Sequence, residues 1–502
     1  MKTDVRASTF LAICACGLVE ASNAAIPPKY VESSLLQDEV TTENLMSNLA
    51  DLQEIADANG GNRAFGLPGY DASRDYIYST VQKSKMFDSW LQDFPALFTE
   101  VQSIDFTVGD VSYYVYGLTY SPSTDEAGID AELVLGPEGE DGCSVEGYAD
   151  LDVTDKIVLV ERYRCPTGGT LAGRVRPAAE AGAAAVIVYN DVETKVTGGT
   201  LSAPDEEEFV PAGFINQVDG QALIELLEAG ETVEAHFQQT QLIEEQITQN
   251  VWAETKGGDP DNVIILGAHL DSVQAGPGIN DDGSGTSLLL ELFKGLENYD
   301  VKNKVRFAWW GAEENGLVGS TFYTDNVTPE EADAILLYLN FDMVSRGYFG
   351  VFDGDGSTHG LAGAPGSEVI EKLFVDHLEA QGINVTAAVF TGGSDYATFM
   401  STLQKPVGGM HTGTGVDQDP CYHQECDTYE NANSTVLTVN AKAAAHVLAT
   451  LATDGTDLIP KAPSNVTRLA RRGAGISSAE LFPWTQMQGE QHLHLGTCGH
   501  DE

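Results

Sequence analysis

Residues 267–285 read Gly-Ala-His-Leu-Asp-Ser-Val-Gln-Ala-Gly-Pro-Gly-Ile-Asn-Asp-Asp-Gly-Ser-Gly and follow directly on the apolar run Val263-Ile-Ile-Leu266. Such a run, closed by small residues, is the mark of a buried strand. The Gly/Pro turn after it lets the backbone fold back, and the Leu-rich stretch Ser284–Leu296 reads as a buried helix. Strand, loop and helix in that order build an α/β layered sheet. Between them lie one imidazole, His269, and three carboxylates, Asp271, Asp281 and Asp282. In open α/β sheets ligands gather beyond the carboxyl ends of the strands, so this stretch decides the fold class and also where to look for a site.

Further along, Val305–Trp310 reads as a strand followed by Glu313-Glu314, and Ile335–Phe341 as a strand closed by Asp342. A helix over 367–381, short strands near 387–390 and 406–409 and a last helix over 436–450 complete the pattern, with His423 set between Cys421 and Cys426. Upstream, Leu36–Ala58 and Asp71–Leu91 have helical spacing, and strand-like patterns follow near 101–106 and 111–116. From about 117 to 240 the texture changes to short β-like runs (156–161, 184–189), Gly-rich acidic turns, and helices near 172–181 and 220–229. The two preceding helices make this module an insertion, so the α/β domain is discontinuous, 25–116 with 241–456. The predicted fold class is α/β: a mixed, mostly parallel twisted sheet between helices, interrupted by a β-rich insert.

The 502-residue chain carries 76 acidic against 26 Lys and Arg side chains, a formal charge of −50. A surface so acidic repels phosphate backbones and anionic headgroups, so neither nucleic acid nor membrane is an expected partner, and a monomer is expected. Residues 1–24 have the makings of a secretory leader: basic Lys2 and Arg6, an apolar core over 8–19, and small residues up to Ala24. No other stretch reads as a membrane span. The destination is outside the cell, or alternatively a vacuolar lumen. In an oxidising compartment the economical pairing of the remaining cysteines is Cys143 with Cys165 and Cys421 with Cys426, leaving Cys498 odd. Sequons at Asn326, Asn384, Asn433 and Asn465 agree with a glycoprotein. Residues 457–502 are polar and Gly-rich and are expected to form a loose tail, with a dibasic Arg471-Arg472 and a cluster of His492, His494, Cys498 and His500 whose spacing fits no standard metal site.

His269, Asp281, one of Glu313 and Glu314, Asp342 and His423 thus sit at or near independent strand ends and combine nitrogen with oxygen donors, the set that zinc prefers. Five such ligands are too many for one tetrahedral ion and suffice for two that share a bridging carboxylate. Asp271, two residues from His269, is placed to accept the second imidazole N–H. In an extended segment Glu313 and Glu314 point apart, so one binds metal while the other takes a proton from water.

With Asn62–Tyr70, Lys304–Glu314, Tyr338–Asp342 and Cys421–Asp427, the opening stretch completes five ordered blocks in which the chain resembles the secreted and vacuolar di-zinc aminopeptidases of the leucine aminopeptidase and aminopeptidase Y type. The resemblance covers about residues 35 to 455, and the insert resembles a protease-associated domain. It implies a zinc-exopeptidase fold, one zinc on His269 and Asp342, a second on Glu314 and His423, and Asp281 as the bridge. It further implies Glu313 as general base and acid, Tyr422 as an oxyanion donor, and a cis peptide between Asp281 and Asp282. Substrates would be peptides with a free, leucine-like amino terminus. Two departures stand out: Gly393 replaces an arginine common in relatives, and His411 an aromatic residue. A carboxypeptidase would want an Arg clamp on the terminal carboxylate. The blocks that carry candidate ligands hold Arg306, inside a strand, with Arg346 just past Asp342. A non-catalytic binding protein on the same scaffold would lack ligands or base, and this chain keeps them.

Overall fold

A computed structural model describes residues 1, 28–166, 169–230 and 232–461. The leader, Asn465, the Arg471-Arg472 pair, Cys498 and the histidines of the tail lie outside the described residues. The strands are β1 Phe87–Val108, β2 Val111–Tyr113, β3 Tyr116–Gly117, β4 Ile129–Leu135, β5 Ile157–Glu161, β6 Ala185–Tyr189, β7 Ala212–Ile215, β8 Val233–Thr255, β9 Asp259–His269, β10 Asn303–Trp310, β11 Ile335–Phe341, β12 Phe349–Phe352, β13 Val385–Ala388 and β14 Val407–Met410. The helices are α1 Ser33–Glu39, α2 Thr42–Ala58, α3 Pro68–Val81, α4 Ala172–Glu180, α5 Gln217–Glu228, α6 Gly283–Leu296, α7 Val318–Asn326, α8 Pro329–Ala334, α9 Ser367–Ala380, α10 Tyr396–Thr398 and α11 Ser434–Leu458.

The strands form one sheet in the order β13-β12-β14-β11-β9-β10-β8-β4-β5-β6-β7-β3, with β1 alongside β8 and β2 on β1. In the middle of the first half β14, β11, β9 and β10 are mutually parallel, and in the insert β4 to β7 are. Strand β8 runs antiparallel to β10 at one end and to β4 at the other. Within each half the parallel strands therefore point one way, and the two sets pair with opposite ends of β8, so each half has its own carboxyl edge.

Parallel strands buried on both faces need apolar side chains at every position, and β9 and β10 supply them. Ile264, Leu266, Val305, Phe307 and Trp309 face a core made with α1, α2, α3, α6, α9 and α11. Their neighbours Val263, Ile265, Ala308 and Trp310 face a second core with Tyr323 and Phe399. Helix α11 is 25 residues long, long and apolar enough to cross a membrane by length and composition. That corrects the reading that no stretch beyond the leader approaches such a span. Its Leu437, Val447, Leu448 and Leu451 are buried in the first core, so its apolarity serves packing.

Three further differences from the sequence reading have local causes. The helix read over 36–58 is two, because Thr41 caps α2 by accepting from the Asn44 amide at 3.2 Å. The helix read as far as Leu91 stops at Val81, and β1 then runs for 22 residues as a single strand. The boundary drawn at 240 falls inside β8, a 23-residue strand that pairs with the insert at residues 233–237 and with β10 at 251–254.

Candidate metal centre

Four elements carry the predicted ligands to the carboxyl edge of the peptidase strands: the end of β9 (His269), the turn into α6 (Asp281), the turn after β10 (Glu313, Glu314) and the end of β11 (Asp342). A long segment without helix or strand, between Met410 and Ser434, carries His423. The structure brings all five predicted ligands together. His269 Nε2 stands 3.0 Å from Asp281 Oδ1, 3.7 Å from Asp342 Oδ1 and 4.0 Å from Glu313 Oε2. His423 Nε2 stands 3.0 Å from Asp281 Oδ2 and 3.1 Å from Glu314 Oε2. The Asp281 carboxylate thus turns one oxygen to each imidazole, with Asp342 on one side and Glu314 on the other.

The backbone around them is held by carboxylates that the sequence reading did not single out for this work. Asp282 accepts from the His269 amide at 3.2 Å and the Met343 amide at 3.1 Å, and caps α6 through Gly285 at 2.8 Å. It pins the ends of β9 and β11 to the start of the helix, and its preceding peptide, Asp281–Asp282, is cis as the resemblance implied. A Cβ at position 285 would come within 2.0 Å of the Phe341 carbonyl, so only glycine allows that approach. Asp427 accepts from the Asn280 and Asp281 amides, both at 2.9 Å, and so ties the bridge to the segment that carries His423. The Cys421–Cys426 disulfide closes the same segment, and Cys143–Cys165 forms in the insert. Fully buried Arg63 donates to the carbonyls of Leu270, Pro277 and Gly278, which shapes the loop between His269 and Asp281.

Asp271 plays a different part from the one read in the sequence. The His269 Nδ1 lies 3.1 Å from the Asp271 main-chain carbonyl and 3.8 Å from its carboxylate. That carboxylate is already engaged, accepting from the Glu313 amide at 3.0 Å and the Glu314 amide at 3.2 Å. Nor is the Glu313-Glu314 segment extended: Ala312 takes φ +53°, and the turn sends the two carboxylates to different imidazoles. Met343 (φ +52°) and His423 (φ +56°) are left-handed too, a conformation that costs a non-glycine residue about 1–2 kcal/mol and must be held by its surroundings.

Electrostatically the centre is strained without a cation. Burial pushes Glu313 well above the ordinary carboxylate range; His269 opposes this, and Asp395, Glu314 and Asp342 add to it. Burial likewise raises Glu314 to about 7 against the pull of His423. Burial works against a charged His269, yet Glu313, Asp281 and Asp342 outweigh it and lift the imidazole well above its usual value. Acids this close and this deep are costly unless cations balance them. Both His269, Asp281, Glu314 and His269, Asp282, Asp342 can converge on one ion, each group with its donor atoms within 4.8 Å of one another. The nitrogen-and-oxygen set fits zinc. Tyr422 lies in the same field: burial raises its hydroxyl far above the usual phenol range, and Asp281, Glu314, Glu313 and Asp342 add to that. His411 is turned away from a ligand role, its Nδ1 meeting the Asp342 carbonyl at 2.9 Å while its ring stacks on Phe352. Asn326, Asn384 and Asn433 are exposed.

An α/β sheet with buried imidazoles and carboxylates converging at its carboxyl edge defines a metallohydrolase. The family described as "Peptidase family M28" matches residues 250–448 and that described as "PA domain" matches 129–223. A protein named "Probable leucine aminopeptidase 2" from Aspergillus fumigatus is 37% identical over 87% of this chain and 86% of its own length. An aminopeptidase structure from Aneurinibacillus sp. strain AM-1 superposes with a TM-score of 0.68 at 26% identity, covering 84% of this chain and 96% of its own. The zinc aminopeptidase BSAP from Bacillus subtilis shares the fold, with a TM-score of 0.66 at 24% identity over 84% of this chain and 98% of its own. The chain belongs to peptidase family M28 and carries a PA domain.

Proposed function

We propose that the protein is a secreted metalloaminopeptidase that removes amino-terminal, leucine-like residues from peptides at a pair of zinc ions. His269 and Asp342 would hold one ion and Glu314 and His423 the other, with Asp281 shared between them. The observation that carries this reading is the Asp281 carboxylate with an imidazole 3.0 Å from each of its oxygens. Zinc bound there supplies a Lewis acid toward the scissile carbonyl and lowers the pKa of a water. Glu313, buried and with a raised proton affinity, takes the proton from the attacking water and returns it to the leaving amine. The Tyr422 hydroxyl donates to the developing oxyanion. Asp271 sets the main chain of both glutamates through their amides.

Amino-terminal cleavage fits the charges. Glu313 and Asp342 offer a negative seat to an α-ammonium. The arginines of the neighbouring segments are engaged elsewhere: Arg306 with Glu254 and Glu331 at 2.6 Å each, Arg346 with the Asn431 carbonyl, Arg63 with three loop carbonyls. None is left to clamp a terminal carboxylate. The name of the Aspergillus relative supports the leucine-like preference. Two disulfides and the predicted leader support export, with a vacuolar lumen as the alternative destination. A monomer with no nucleic-acid or membrane partner accords with the charge of −50. The test is hydrolysis of a leucyl chromogenic amide by purified protein. Activity should vanish with chelator, return with added zinc, and be absent on the N-acetylated substrate. Turnover indifferent to chelator would sink the proposal.

A further inference from the structure

The PA insert touches the metal centre itself. Thr197, in the insert, donates from its hydroxyl to the main-chain carbonyl of His423 at 2.8 Å. The same hydroxyl accepts from Gln424 Nε2 at 2.8 Å. Thr197 is held firmly on its own side. Next to it Val196 is fully buried in the insert core. The Val196 amide donates to Asn216 at 2.9 Å, and the Val196 carbonyl accepts from the Tyr114 hydroxyl at 2.8 Å. Just beyond, the Thr119 amide donates to Gly199 at 2.8 Å and the Leu201 amide to Thr119 at 2.9 Å.

The receiving side needs such a hold. His423 has φ +56° and sits in a segment with no helix or strand between Met410 and Ser434. The disulfide closes that segment, and Asp427 ties it to Asn280 and Asp281. The peptide that follows His423 is held on its N–H side, where the Gln424 amide donates to the Cys421 carbonyl at 2.9 Å, and Thr197 adds the hold on its carbonyl side from the insert. We propose that Thr197 is a positioning residue for the metal centre: through the His423 carbonyl, the insert fixes the backbone rotation that aims the imidazole at Asp281 and Glu314. The insert is thereby part of the metal site's support. This rests on the reading of His423 as a zinc ligand.

The experiment compares Thr197→Val, which keeps the shape and loses the hydroxyl, with Thr197→Ser, which keeps the hydroxyl. Readouts are zinc per chain after dialysis, the rate of zinc loss to chelator, kcat and KM on a leucyl amide, and the melting temperature of the zinc-loaded protein. Outer contacts of metal ligands are typically worth about 10-fold or more in metal affinity or turnover. Thr197→Val is expected to lose zinc about 10-fold faster and to drop in kcat with KM nearly unchanged, while Thr197→Ser behaves as wild type. Wild-type zinc retention in Thr197→Val, or equal damage in both variants, overturns the proposal, the latter because packing alone would then explain it. Should Thr197→Val melt early, zinc loss and kcat are compared at a temperature where it and Thr197→Ser both remain folded, and the same outcomes decide. His423→Ala separates the two readings. If it keeps full zinc and activity, the assignment of the site falls and the role of Thr197 with it. If it loses zinc while Thr197→Val keeps it, only the role of Thr197 falls.

Discussion

Arg63, in the segment before α3, and Arg174, inside α4, do the same work in the two halves of the molecule. Each is completely buried, and each spends its guanidinium on three main-chain carbonyls: Leu270, Pro277 and Gly278 in the peptidase half, Pro137, Gly139 and Glu161 in the insert. Around them the halves share a plan, parallel strands covered on both faces with their carboxyl ends on one edge. What they put at that edge differs. In the insert, the polar residues after β5, β6 and β7 are matched with one another or with their own loop: Arg162 with Asp191 at 2.6 Å, Asn190 with the Thr194 carbonyl, Asn216 with the Val196 amide. In the peptidase half, β9, β10 and β11 end in acids and imidazoles whose mutual charge calls for a cation. The plan provides the edge; whether like charges crowd there decides whether it calls for a cation.

The strongest way to break this contrast is Glu313→Gln. Turnover of a leucyl amide should fall about 10²–10⁴-fold while bound zinc, measured by metal analysis, stays at the wild-type level. Retained turnover would remove the chemistry from the peptidase edge. Next comes Arg174→Met in the insert, which takes the donor from three carbonyls of half-buried residues and should lower stability by about 1–3 kcal/mol in denaturant melts. The folded fraction should keep its kcat/KM; a catalytic defect at unchanged stability would show that the insert's arginine serves the site directly. Asp271→Asn should cost about 10-fold in kcat, because one glutamate amide loses its acceptor, with little change in KM. The smallest effect concerns the pair His377 and His446, whose rings stack 4.2 Å apart beneath the peptidase half. Burial, with His446 alongside, lowers His377 to about 4 from 6.5. A depressed histidine contributes stability that is full above pH about 6.5 and is lost as pH falls toward about 4. Melting temperature should therefore decline across that window, and His377→Phe should flatten the decline.

The centre was legible because ligand identity and strand ends both show in sequence. His269, Asp281, Glu314, Asp342 and His423 fall beside apolar runs and inside blocks shared with a known family. Less legible was what orients them. Asp271 was placed correctly but given the wrong partner, since which oxygen an imidazole meets depends on a backbone turn that residue spacing does not encode. Asp282 and Asp427 act through main-chain amides, which leave no mark on composition. The β1 strand was misread as far as Leu91, although the alternation of Phe94, Ala96 and Phe98, all buried, is a period-two signal that was there to be read. The contact between Thr197 and the carbonyl of His423 had no local signal, because it joins residues 226 apart.

The pairing of β1 with β8 runs from Phe87↔Thr255 to Val108↔Ala235, so both strands belong at once to the peptidase half and to the insert. No loop along that ladder marks where one half ends and the other begins, so a deletion ending in a loop on one side would cut through paired strand on the other. A truncated peptidase would be left with frayed ribbon beside β10, and its failure would report lost folding rather than a lost partner. Whatever the insert contributes has to be learned one side chain at a time.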